Sequence, residues 1–101
     1  MRKIEKRMLA AVCNGVSMSC GNTRVECVNG VSHVYLHGNC IAIVNQNMYG
    51  QFCLAGWNCN TTRNRLRALG VSVRCRNYTP QMEVNGKWID IRSNEWYEVE
   101  G

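Results

Sequence analysis

The sequence predicts an α+β domain with a mostly antiparallel sheet of five to six strands. Three observations carry that reading. Apolar residues at the N-terminus recur every three or four positions, and from Thr23 the period falls to two. Asn29-Gly30 and Asn85-Gly86 lie between strand-like runs, the tight-hairpin signature. Between them, "GWNCNTTRNRLRALGVSVRCR" (Gly56 to Arg76) interrupts the strands with a short helix that has a polar start and a glycine end.

Arg2 to Val12 reads as the first helix. Ile4, Met8, Ala11 and Val12 fall on one side, and Arg2, Lys3, Lys6 and Arg7 take the rest. That basic side is either a solvated face or an arm that touches phosphate. Asn14-Gly15 supplies the stop, because glycine accepts the left-handed cap conformation. "TRVECV", "VSHVYLH" and the continuously apolar "CIAIV" read as three strands, the last covered on both faces. "HGN" reads as a turn or bulge at Gly38. "NQNMYG" is a loop, and the strand-like "QFCLAGW" leads into the second helix. Asn60, Thr61 and Thr62 are N-cap candidates, because their side-chain oxygens can accept from unpaired first-turn N–H groups. Leu66 and Leu69 form that helix's buried stripe, and Gly70 fits its end. "VSVRCR" then alternates, "MEVNGKWIDI" forms a hairpin, and "EWYEV" adds an edge strand. The predicted order places the arginine-rich helix between the third and fourth strands. There is one domain, residues 1–101, with no internal repeat.

A chain of 101 residues buries roughly two-thirds of its unfolded surface, enough for one core without staples. With so small a core, a homodimer is the expected state. Seven cysteines stand at 13, 20, 27, 40, 53, 59 and 75. None is paired at a two-residue spacing, so no zinc knuckle is predicted. The odd count and apolar neighbours ("NCIAIV", "FCLAG") read as small buried thiols in a reducing cytosol. The apolar segment Met8 to Cys13 falls short of the ~7–15 residues of an export signal. No run approaches the ~18 apolar residues of a membrane span, so the expected compartment is the cytoplasm. Glycosylation-like triplets at Asn60 and Asn77 carry no weight there.

The formal charge is +5. Residues 1–80 carry ten basic and two acidic side chains, and residues 81–101 carry two basic and five acidic. Arg63 and Arg67, four apart, share a helix face. Like charges at that spacing cost a few tenths of a kcal/mol, which calls for an anion. A helix start with free N–H groups attracts phosphate, and arginine supplies forked donors. Thr61, Thr62, Arg63, Arg65, Arg67, Arg74 and Arg76 are therefore the candidate phosphate or nucleic-acid site. The competing reading pairs these arginines with the acidic C-terminal hairpin (Glu83, Asp90, Glu95, Glu98, Glu100), within one chain or across a dimer. Tyr35, Tyr49 and Tyr78 are candidates to stack on bases, and Trp57 is expected to seal the core. His33 and His37 lie on one strand face without an evident third metal ligand. No spacing suggests an acid–base pair or an activated nucleophile. The expectation is a protein without catalysis, cofactor or metal.

The stretches "GNTRV", "LHGNCIA" and "AGWNCNTTRNRLRALG" resemble a group of small tailed-bacteriophage proteins. Those share the pattern N-T-x-V, then L-H-x-N-x-I-A, then G-W-x-x-x-T-T-x-x-R-L. The resemblance spans roughly Gly21 to Gly70, about half the chain. Gly56, Trp57, Thr61, Thr62, Arg65 and Leu66 carry its most specific part. Cys59 departs from it, standing where the pattern has threonine. The resemblance implies a viral protein acting inside a bacterial cell, and it carries no catalytic residue over. Three functions are compatible with this reading. They are nucleic-acid or phosphate binding through the arginine stretch, stoichiometric inhibition of a host function through a host protein or a small nucleotide, and a structural part held by internal pairing.

Overall fold

The computed structural model describes residues 2–99. The elements, in chain order, are α1 (Lys3–Asn14), β1 (Met18–Cys20), β2 (Thr23–Val28), β3 (Val31–Leu36), β4 (Asn39–Asn45), β5 (Gly50–Phe52), α2 (Asn60–Ala68), β6 (Val73–Arg76), β7 (Thr79–Val84), β8 (Lys87–Asp90) and β9 (Tyr97–Val99). The class is α+β. The strands form two antiparallel sheets, one of six strands ordered β1-β2-β3-β4-β5-β9 and one of three ordered β6-β7-β8. The arginine-rich helix falls between the fifth and sixth strands, not the third and fourth. The three-residue β1 is too short to show a period, and of the strand-like "QFCLAGW" only Gln51 and Phe52 are strand, joined by Gly50 from the preceding loop.

Both helices lie against the six-stranded sheet, and Met8 and Val12 of α1 pack with Leu66 and Leu69 of α2 in one core. Val25, Val34, Val44 and Phe52 enter that core from successive strands. The other face carries Arg24, Glu26, His33 and Tyr35, the alternation expected of a sheet wetted on one side. "CIAIV" is not covered on both faces. A bulge between Val34 and Tyr35 breaks the register, so that Val34 opposes Ala42 but Tyr35 opposes Cys40. Ile41 is the extra residue, and Ile41 and Ala42 are both buried in succession while Cys40 and Ile43 are half-buried.

Two-residue turns close five hairpins; Gly21-Asn22 has positive φ only at its glycine, and the other four have it at both central residues. Those four are Asn29-Gly30, His37-Gly38, Asn77-Tyr78 and Asn85-Gly86. α1 ends where Gly15 takes φ +65° and the Val16 N–H reaches back to the Ala11 carbonyl. α2 begins at Asn60 with Cys59 as N-cap, so the Asn/Thr triplet is its first turn and not its cap. β9 completes the large sheet as its edge strand by pairing with β5.

A buried ion pair joins the elements. Glu5 of α1 and Arg65 of α2 are 6% and 3% exposed. Arg65 Nη1 donates to Glu5 Oε2 at 3.1 Å, and Arg65 Nε donates to the Thr23 hydroxyl of β2 at 3.0 Å. The other Glu5 oxygen accepts the Arg2 backbone N–H at 3.0 Å, closing the start of α1.

Two stability outcomes follow. Arg65→Met strands a buried carboxylate and should cost about 3–5 kcal/mol, read as a lowered urea midpoint. Adding Glu5→Leu should recover part of that loss, less about 1 kcal/mol for the lost cap. Tyr78 is 97% exposed with φ +66°. Tyr78→Gly relieves a left-handed non-glycine residue and should raise the melting temperature, by about 1 kcal/mol in stability terms.

Candidate functional site

The arginine stretch does not form one cationic patch. Arg65 is interior, held by Glu5 and Thr23. Arg63 is 8% exposed and donates to the side-chain oxygens of Asn58 and Asn60. Asn58 in turn donates to Cys75 Sγ and to the Tyr78 carbonyl, so Arg63 fastens the β6–β7 turn to the start of α2. Arg67 is exposed, with Nε on the Val73 carbonyl at 2.9 Å and Nη1 on Asn64 at 3.0 Å. Arg74 is half-buried. Its guanidinium lies 4.2 Å from the Trp88 ring centre, and Nε donates to Gln81, which donates to Asp90. Arg76 is exposed. Thr62 is buried, and Thr61 is half-buried.

Of the seven residues in the sequence-derived site, Arg67 and Arg76 are thus the exposed cations. The physical reason is that Arg63 and Arg65 are needed inside. The acids that engage the arginines also differ from expectation. Glu5, not an acid of the C-terminal hairpin, takes Arg65, and of the hairpin acids among the described residues the arginine stretch reaches Asp90, through Gln81. Glu100 lies outside the described residues.

The exposed basic surface is on α1. Lys3, Lys6 and Arg7 lie three and four apart on its outer side. None has a carboxylate within ion-pair distance among the described residues. Arg7 contacts Cys20 Sγ at 3.2 Å. α2 packs beside α1, which brings Arg67 to the same flank as Asn64 and Ala68, next to Glu5.

A second site was not anticipated. A cavity of about 520 Å³ opens between the β3–β4 turn and the start of α2. Leu36, His37, Asn39 and Ile41 line one side, and Trp57, Cys59, Thr61 and Thr62 the other. "LHGNCIA" and "GWNCNTT" therefore converge in space, although about twenty residues apart in the chain. Trp57 does not seal the core; it is 61% exposed. The signal in the sequence was the apolar Trp next to a polar helix start. Its partner across the cavity depends on the bulge at Ile41, which has no sequence signature.

Cys59 stands at the helix end of this cavity, its sulfur 3.3 Å from the Thr62 hydroxyl. Partial burial pushes the thiol up. The Thr62 hydroxyl, the Thr62 and Thr61 N–H groups and the Arg63 charge outweigh that, and the net direction is down. Of the seven cysteines expected as buried thiols, Cys53 alone is fully inside. Cys53 is buried, Cys20, Cys27 and Cys40 are half-buried, Cys13, Cys59 and Cys75 are exposed, and all are free. Cys40 is pushed up by its burial. Among the described residues, no three of His, Cys, Asp and Glu converge as a metal site. No helix among them is long and apolar enough to cross a membrane.

A family model described as Kyanoviridae Gp96 protein matches residues 1–100. The chain belongs to this phage protein family. No curated protein and no solved structure matches it. The Gp96 family assignment spans both helices and both sheets, so the basic face of α1 and the cavity are both inside the matched region.

The lowered Cys59 thiol has a direct readout. Its iodoacetamide alkylation, followed peptide by peptide, should shift to lower pH in the folded protein than in the urea-unfolded chain. Arg63→Gln should move that profile back upward.

Proposed function

We propose that this Gp96-family phage protein acts without catalysis, by binding nucleic acid through the outer face of α1 together with Arg67 of α2. One observation carries the reading. Lys3, Lys6 and Arg7 stand adjacent on an exposed helix face with no carboxylate partner among the described residues. Adjacent like charges destabilise a helix slightly, and a polyanion converts that repulsion into attraction by releasing its counterions. Arg76 is a further exposed cation, at the end of β6 in the small sheet. Arg63, Arg65 and Arg74 have internal partners and support the scaffold. Thr61 and Thr62 belong to the cavity side of α2. The expected setting is the cytoplasm of the bacterial host.

A second reading is a protein partner, bound as a stoichiometric inhibitor binds. Val84 and Ile89 favour it, because they are exposed on the same face of the β7–β8 hairpin.

The test is fluorescence anisotropy of labelled single- and double-stranded oligonucleotides across a salt series. Affinity should fall steeply with salt. Lys3→Gln with Lys6→Gln and Arg7→Gln should flatten the log–log salt slope by about 2–3 units, because each phosphate no longer neutralised removes nearly one unit. Binding that ignores salt, or a slope unchanged in the triple variant, would sink the proposal.

A further inference from the structure

We propose that the cavity between the β3–β4 turn and the start of α2 binds a planar heteroaromatic ring, presented as a free nucleoside or as an unstacked base of a single strand. The volume of about 520 Å³ is in the range of small-molecule sites. Leu36 and Ile41 are buried and give it an aliphatic floor. Trp57 gives it an indole wall that remains mostly in water. Large aromatic surface held beside an open cavity is unfavourable to hydrate, and a flat ring laid against the indole covers it with the geometry aromatic pairs prefer.

The polar groups sit at the rim. His37, Asn39 and Thr61 offer donors and acceptors to the edge of a ring, as base-reading sites do. Asn39 has only a long 3.5 Å contact to the His37 carbonyl, so its amide is available. Among the described residues no acidic side chain lines the cavity, and Arg63 lies close enough to act on the Cys59 sulfur. The site therefore suits a neutral ring with acceptor atoms and disfavours a cationic one. Backbone geometry holds the β3–β4 wall. His37 takes φ +51° in a two-residue turn, and the β4 bulge turns Ile41 inward.

Binding here does not depend on the α1 face, and the experiment separates the two. Cys59 lies inside the cavity lining and reports occupancy, while Cys13 on α1 serves as the internal control in the nucleoside arms and the abasic strand is the control for the oligothymidylate. The protein is alkylated briefly with iodoacetamide in the presence of adenosine, uridine, a short oligothymidylate, or an abasic strand of equal length. Protection of Cys59 but not Cys13 by either nucleoside identifies a free ligand as sufficient. Protection by oligothymidylate alone, and not by the abasic strand, identifies a base of a strand. In either case Trp57→Ala, a change at an exposed side chain, should weaken protection about tenfold, as loss of one base–aromatic stack does. The Lys3→Gln, Lys6→Gln, Arg7→Gln variant should leave nucleoside protection intact. The inference is overturned if no probe protects Cys59, if the abasic strand protects it equally, or if Trp57→Ala changes nothing.

Discussion

Glu5 and Arg65 constrain the molecule more than any other pair. They stand sixty residues apart, and their contact brings α1, α2 and the start of β2 to one point. Each Glu5 oxygen has a separate task, one closing the first turn of α1 and the other meeting the guanidinium. The Thr23 hydroxyl accepts from Arg65 and donates to Asn22, so the polar chain continues into the β1–β2 turn. A charge pair in an apolar interior gains little over a hydrophobic pair of the same size. Its consequence is positional. Any helix register that separates the two leaves an unpaired charge in the core, and only one register avoids this.

That constraint also sorts the arginines. A stretch with five arginines and no acid looks like a surface for an anion when read locally. In three dimensions the helix turns Arg65 inward, Arg63 toward Asn58 and Asn60, and Arg67 outward. Interior arginine is tolerated because each buried guanidinium meets several acceptors. The basic surface that remains exposed is displaced to α1, where Lys3 and Lys6 have long stems and no interior task.

Much of the fold was legible because its signals are local. The glycine stop of α1, the Asn-Gly turns, the Leu66/Leu69 stripe and the last edge strand depend on residues within a few positions of one another. The errors share a different origin. Asn77-Tyr78 forms a two-residue turn without glycine, held by the Asn58 contact to the Tyr78 carbonyl from twenty residues away. β1 exists because β2 offers it an edge. The helix start moved to Asn60 because Cys59, a residue rarely read as a cap, occupies the N-cap position. The buried fate of Arg63 and Arg65 depended on partners that no spacing rule connects to them. The cavity was illegible for the same reason, since its walls meet only after β4 bulges.

The two ends of α2 have separate chemistry, and the helix itself explains why. At its C-terminal end Arg65 and Arg67 offset the negative end of the dipole, and Arg67 lies beside α1. At its N-terminal end Cys59 holds the cap position, with no side-chain cap hydrogen bond and its sulfur on the Thr62 hydroxyl at 3.3 Å. A carboxylate there would accept from the first-turn N–H groups, and it would also place a fixed charge in a cavity walled by Leu36, Ile41 and Trp57. A thiol is smaller and less hydrated. It lets the helix start beside an apolar space without filling that space with water. The first turn of α2 is thus compatible with an apolar ligand in a way that a helix start capped by a carboxylate is not, and this follows from one residue at one position.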